Sequence, residues 1–533
     1  MVRLITLDLL IGVLDIVFLG LLLLVIDFYT KSNLQRNFLQ DLFFGSRDSL
    51  MLAVVFFLLF SIKNCLGYYI SSLQRHFFFG VASRLSERNI RYYLNENYAQ
   101  FVNIGSAVQI RKIGQQPVEF SNYILINVQQ IISQVILILF TIIAILTYHP
   151  DLFLLLFLLL VPPVTALGYF IKRKLKNIRS EIKLTSEKTL QHLQESLSGF
   201  VESNIYNSTD FFIDRYSFYQ EKLNKNIATQ QALQGLPSRM IEVFAVLGFL
   251  ILLAVNKFAG HSIGINLLEI GIFMAAAYKI IPGIVKILSS AGQIKAYGFT
   301  LTDLLTGPAT NQRPAADDNT IGTVKFDQVT FRYKTHQVLT KLDFTIVKGD
   351  FVGISGKSGS GKTTLINLLL GFLAPEEGTI FINHVASDES SRQRFWNRIS
   401  YVRQQQFIFS DTILKNICLS ETVNEAKLAE VIEFCGLPDV LNRCHNGIHH
   451  LLSENGKNIS GGQRQRIVLA RALYHDFDLL ILDEPFSEMD ELSEKRILSR
   501  LTEMAKTGKI IILITHGKLG LTFCNKTISI DHE

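Results

Sequence analysis

Gly356-Lys357-Ser358-Gly359-Ser360-Gly361-Lys362-Thr363-Thr364 leads out of the apolar stretch Phe351–Ile354 and into the helix-like stretch Leu365–Leu370. Strand, glycine-rich loop and helix in that order make a P-loop. Glycines let successive backbone N–H groups converge on phosphate oxygens, and the helix N-terminus adds positive potential. Lys362 is then expected to reach the β- and γ-phosphates of a nucleotide, and Thr363 to ligate Mg2+. The competing reading is a glycine turn that binds nothing. The strand before it and the helix after it weigh against that.

Downstream, Leu479-Leu480-Ile481-Leu482-Asp483-Glu484-Pro485 is an apolar strand ending in two acids. Asp483 is the expected Mg2+ partner, and Glu484 the expected base that polarises an attacking water. Alone, such an ending reads as a solvated strand end, so its weight comes from following a P-loop. Ile459-Ser460-Gly461-Gly462-Gln463-Arg464-Gln465-Arg466 opens another helix, Ile467–Leu473. A second glycine turn thus meets a helix start able to hold an anion. Standing alone it would be a glycine-containing cap.

In order and spacing these motifs resemble the ATPase domain of ABC transporters, over about residues 322–531. The resemblance implies bound ATP and Mg2+. It carries Tyr333, in Phe331-Arg332-Tyr333, onto the adenine, and Gly356, Ser358, Gly359, Ser360, Gly361, Lys362, Thr363 and Thr364 onto the phosphates. Gln404, in Tyr401-Val402-Arg403-Gln404, matches the glutamine that senses Mg2+, which gives Thr363, Gln404 and Asp483 as metal partners. His516, after Ile510–Ile514, matches the histidine on the γ-phosphate and joins Glu484 and Lys362 as the expected catalytic set. Ser487 and Asp490 match a loop that crosses to a partner ATPase. In that family each ATP lies between one subunit's P-loop and the other's signature, here Ser460, Gly461, Gly462 and Gln463. The chain is therefore expected to pair with a second copy or a related half-transporter. Glu454, just before the signature, matches an acidic segment of exporters, and Asn97–Phe101 and Tyr206–Phe212 resemble segments that dock on ATPases. The near absence of an N-terminal helix lying along the membrane, and an end soon after Thr527–Ile530, depart from the pattern without touching an ATP motif.

Upstream of the linker-like, proline-bearing residues 307–320 the composition changes. The chain of 533 residues is 48 % hydrophobic and only 18 % charged, with mean hydropathy +0.27. That is unlike a soluble enzyme of this size. A bilayer core needs ~20 apolar residues per helix. Six stretches approach this: Leu9–Tyr29, Leu50–Ile70, Ile124–Tyr148, Leu152–Ile171, Ile241–Val255 and Ile263–Leu288. The first is too long for a signal peptide. Pro150 is expected to break the third from the fourth in a tight hairpin. Lysine and arginine crowd the second-to-third and fourth-to-fifth connections, which places these in the cytoplasm with both termini. Helical spacing in Ile178–Ser196 suggests that spans two to five continue as helices into the cytosol. Topology thus accounts for most of the net charge of +6, and no nucleic-acid partner is expected. Five cysteines without C-x-x-C spacing point to reduced cytosolic thiols.

The expected fold is a membrane α-helical bundle of six transmembrane helices with cytoplasmic extensions, plus an α/β P-loop ATPase domain of ABC type. Residues 1–306 form the membrane domain, 307–320 the linker and 321–533 the ATPase domain. The expected activity is ATP-driven export or flipping across the cytoplasmic membrane. The last span and its exit, from Met274–Tyr278 through Pro282 to Ile287–Ser290, look similar to exporters of lipid-linked oligosaccharides, so a lipid-linked or amphipathic substrate is preferred. Peptide or drug efflux is the alternative, and an ATP-gated channel stands behind it. With no peptidase-like stretch read ahead of the first span, a leader-cleaving peptide exporter is not the expectation. Asp15, Glu269 and Lys279 are the deeper ionisable residues expected to line a cavity.

Overall fold

The computed structural model describes residues 2–30, 51–95, 105–148, 150–258, 267–305, 319–334, 336–357 and 359–530. They fall into two compact units, one built from the helices up to Leu305, the other from Asn319 to Ile530.

Among the described residues the first unit holds six long helical stretches: α1 (Val2–Thr30), α2 (Met51–Leu94), α3 (residues 106–148), α4 (Pro150–Ser198), α5 (Thr209–Phe258) and α6 (Leu267–Leu305). Each expected span falls in one of them, except that Leu50 and residues 263–266 lie outside the described residues. The backbone in lipid must satisfy its own N–H and C=O groups, and a helix does so within one segment. Met51–Leu94 and Ser106–Ile143 are long and apolar enough to cross a membrane, at mean hydropathy 1.8 and 1.9. α4 and α5 run for 49 and 50 residues, far longer than a bilayer needs, so their charged halves continue as helix beyond the apolar ones. Pro150 opens α4 at its first position, where a missing N–H costs no hydrogen bond. α3 contains two single π turns, Arg111–Gln115 and Ser121–Leu125.

Buried polar groups pin these helices together. Arg111, 1 % exposed, lies 3.3 Å from both Glu119 and Glu187, tying α3 to α4. Asn127 donates to Gln293 at 2.7 Å, and Tyr123 stacks on Tyr297. Asp15 pairs with the buried Lys63, whose ammonium also sits over the Phe60 ring. Asp8 accepts from Gln129 at 3.1 Å and from Ser133. Asp8, Asp15, Ser133 and Gln134 line a small cavity of about 120 Å³. The side chains of Glu269 and Lys279 lie outside the described residues.

The second unit has two sheets. β1 (Thr323–Tyr333), β2 (His336–Val347), β4 (Glu377–Ile382) and β5 (Val385–Ala386) form an antiparallel sheet in the order β2-β1-β4-β5. β3 (Phe351–Ser355), β6 (Ile399–Val402), β7 (Leu479–Asp483), β8 (Ile510–Ile514) and β9 (Lys526–Ser529) form a parallel sheet in the order β6-β7-β8-β3-β9. β7 and β8 are buried along their whole length, the pattern of parallel strands covered on both faces. Their side chains alternate with period two. Leu479, Ile481, Ile510, Ile512 and Ile514 pack with α7 (Lys362–Leu369) through Leu365 and Leu369. Leu480, Leu482, Ile511 and Leu513 pack on α8 (Gly461–Tyr474) and α9 (Glu491–Lys506). Register then places the functional ends: Leu482 lies opposite Val402 and Leu513, and Ile354 opposite Ile514. The loops after β3, β6, β7 and β8 leave from one carboxyl edge, where open α/β sheets bind ligands.

Candidate nucleotide site

The P-loop leaves that edge from β3. Gly361 caps α7 in the left-handed region at φ +99°, and a Cβ there would sit 2.8 Å from Val338. Gly359 also has positive φ. Ser358 lies outside the described residues. Ser360 Oγ is buried with no hydrogen-bond partner among the described residues, a polar atom available to an anion in the loop. Lys362, 9 % exposed, donates to Gly356 O at 2.8 Å and to Lys357 O at 3.0 Å. Thr363 is exposed while Thr364 is buried.

Three more loops bring groups to Lys362. His516 Nε2, after β8, lies 3.2 Å from Lys362 Nζ and 3.2 Å from Glu484 Oε1. One ring nitrogen can accept from the ammonium or donate to the carboxylate, but not both at once. Glu484 Oε2 accepts from Gln404 Nε2 at 3.0 Å. Glu484 itself sits at φ +49°, while its N–H donates to Ile514 O at 3.0 Å. A glutamate held there is strained by about 1–3 kcal/mol, the kind of cost that persists where surroundings dictate a side chain's direction. Asp483, 5 % exposed at the end of β7, has its pKa pushed up to about 6. Burial is the main cause and the neighbouring Glu484 charge the second, with Lys362, Tyr401 and Arg403 opposing. Asp483, Thr363 and Gln404 offer hard oxygen donors, the chemistry that suits Mg2+. Tyr333 is 46 % exposed and meets Phe331 edge-on at 4.9 Å, leaving ring surface for stacking.

The signature stands apart from this group. Ser460 caps α8, and Ser460 with Gln463 forms a reciprocal capping box. Ser460, Gly461, Gly462 and Gln463 line a separate cavity of about 540 Å³ with Asp439, Arg443, Arg466, Glu488 and Asp490. No described P-loop residue lines it. The structure thus brings Lys362, His516, Glu484, Gln404 and Asp483 together and leaves the signature out. Sequence reasoning missed Gln465, 2 % exposed, which donates to Ser487 Oγ at 2.8 Å and accepts from Glu488 N–H at 3.1 Å. A glutamine among the apolar residues on the buried face of this otherwise arginine-bearing helix was the signal available. Glu454 lies in a short 3-10 turn, Glu454–Gly456. Tyr206 and Phe211 are exposed, and Asn97–Phe101 lie outside the described residues.

The family described as ABC transporter transmembrane region matches residues 1–277, and the ABC transporter family matches residues 339–487. The chain is 29 % identical over 371 residues to an ATP-dependent lipid A-core flippase of Burkholderia thailandensis, covering 67 % of this chain and 61 % of that one. It is 31 % identical over 268 residues to a probable ABC transporter ATP-binding/permease protein of Haemophilus influenzae, covering 47 % and 48 %. It therefore spans less than two thirds of the length of the flippase it matches. A solved structure of a bacterial Atm1-family ABC exporter with ATP bound superposes at TM-score 0.82 and 18 % identity, over 99 % of this chain and 93 % of that one. The chain belongs to the ABC transporter family, with the transmembrane region and the ATPase domain joined in one polypeptide.

Proposed function

We propose that this chain is half of a dimeric ATP-driven exporter of the cytoplasmic membrane, moving a lipid-linked or amphipathic substrate. Residues 1–306 would form its membrane domain, 307–320 a linker and 321–533 the ATPase domain, which with both termini faces the cytoplasm. The observation that carries the reading is the separation of two phosphate-binding helix starts in one chain. α7 meets the Lys362–His516–Glu484 group, while α8 opens into its own cavity. A second chain brings its signature to the first chain's P-loop, so two identical copies make two complete sites. The names of the flippase relatives support a lipid substrate.

In that dimer the N–H groups of Gly359, Gly361 and Lys362 and the hydroxyl of Ser360 cradle phosphate oxygens. Lys362 Nζ turns from Gly356 O and Lys357 O to the β- and γ-phosphates, and Tyr333 stacks on adenine. Asp483, Thr363 and Gln404 would hold Mg2+, which when bound neutralises charge on the β- and γ-phosphate oxygens. Glu484 accepts a proton from water as the water oxygen bonds to the γ-phosphorus and the bond to ADP breaks. His516 holds the γ-phosphate and the Glu484 carboxylate in one register. The partner's helix start binds the γ-phosphate only in the closed dimer, so ATP shifts the equilibrium towards closure and its hydrolysis removes that bias.

A mixed dimer tests the sandwich. Lys362→Ala and Ser460→Arg copies are each expected to be inactive alone. Paired, they keep one intact site, because the good P-loop and the good signature come from different chains. ATP hydrolysis should return in the isolated mixed dimer, and its absence would overturn the reading. Stimulation of that hydrolysis by lipid-linked glycans over amphipathic peptides tests the substrate class.

A further inference from the structure

The signature helix start already faces an anion from its own chain. The capping box engages the N–H groups of Ser460 and Gln463. The N–H groups of Gly461 and Gly462 carry no hydrogen bond among the described residues. These are the donors that a phosphate on this helix would use. Glu488 stands over them. Its Oε2 lies so close above Gly461 that any Cβ there would overlap the carboxylate, and its backbone oxygen is 2.8 Å from the place of a Cβ on Gly462. Arg464 lies 3.6 Å from the same Oε2. The loop that carries Glu488 is fixed from below by the buried Gln465, through Ser487 and the Glu488 N–H.

We propose that Glu488 is a built-in competitor at the signature: its carboxylate rests on the helix start that the γ-phosphate of the partner's ATP must take, and it sets the ATP concentration at which the dimer engages. This rests on the sandwich reading above. A phosphate on these two N–H groups needs the space above Gly461 that the carboxylate fills, so the incoming phosphate must displace it. The side chain is 48 % exposed and can swing into water, which makes it a threshold and not a block. The size of the effect follows from what an anion gains at a helix start, a factor of about two to thirty in ATP affinity per site.

The experiment uses the full chain in lipid nanodiscs and reads half-saturating ATP and maximal turnover separately, at low and high ionic strength. Glu488→Gln keeps the shape and removes the charge, and Glu488→Ala also removes the reach. Both should lower half-saturating ATP by about two- to thirty-fold, with maximal turnover far less affected. The gap between the natural chain and Glu488→Gln should narrow as salt screens the exposed charge. Unchanged or higher half-saturating ATP in Glu488→Gln overturns the inference alone, as does a fall seen only with Glu488→Ala, which would assign the effect to bulk. No hydrolysis by the natural chain at any ATP concentration would remove the sandwich reading and this inference together.

Discussion

Replacing Asp483 by asparagine should make the ATPase unit more stable near neutral pH while stopping turnover. Asp483 has a folded pKa of about 6, against an ordinary value of 3.8, because burial and the Glu484 charge disfavour its ionised form. Its folded pKa is raised, so its stabilising contribution is complete below about pH 4 and is lost as pH rises through about 6. That gap between folded and ordinary values corresponds to about 3 kcal/mol at most. Asparagine has similar shape and no charge, so the variant should lack that loss. For a unit of this size that is a gain of at most roughly 6–12 °C in melting temperature. The chain contains a single tryptophan, Trp396, whose indole donates to Leu370 O at 2.8 Å beside the Phe372 ring. Its fluorescence therefore follows the unfolding of the ATPase unit within the full chain. Melting curves in chelator, for both forms across about pH 4 to 8, read the effect directly. Equal melting temperatures near neutral pH, or a gap that does not shrink towards about pH 4, would refute the charge-burial reasoning.

Other substitutions test different links. Glu484→Gln should cut ATP turnover by about 10²–10⁴-fold and leave nucleotide binding intact; retained hydrolysis in a phosphate-release assay would remove Glu484 from the base role. Gly361→Ala forces a Cβ into the left-handed region against Val338, 2.8 Å away. It should cost about 1–2 kcal/mol and weaken ATP binding, read by Trp396 melting and a nucleotide isotherm. Arg111→Met leaves Glu119 and Glu187 facing each other across α3 and α4 without their shared guanidinium. It should destabilise the helical unit by about 3–5 kcal/mol, with partial recovery on adding Glu119→Gln, measured by circular dichroism melts of the full chain.

Local chemistry settled a large part of this protein in advance. The P-loop glycines, the apolar run that ends in Asp483 and Glu484, the Ser460 cap and the lengths of the apolar stretches each write their structure over a few consecutive residues. Helix, turn and strand at those points follow from backbone sterics, hydrogen bonding and period. Which loops meet could not be read that way. Lys362 and His516 are 154 residues apart, and Gln404 and Glu484 are 80 apart. They converge only because β6, β7, β8 and β3 lie side by side in parallel register, and strand order is decided by the packing of a whole buried sheet. The same holds for Glu488 over Gly461 and for the Asp15–Lys63 pair, since a side chain's charge is visible in sequence but its neighbours across the fold are not.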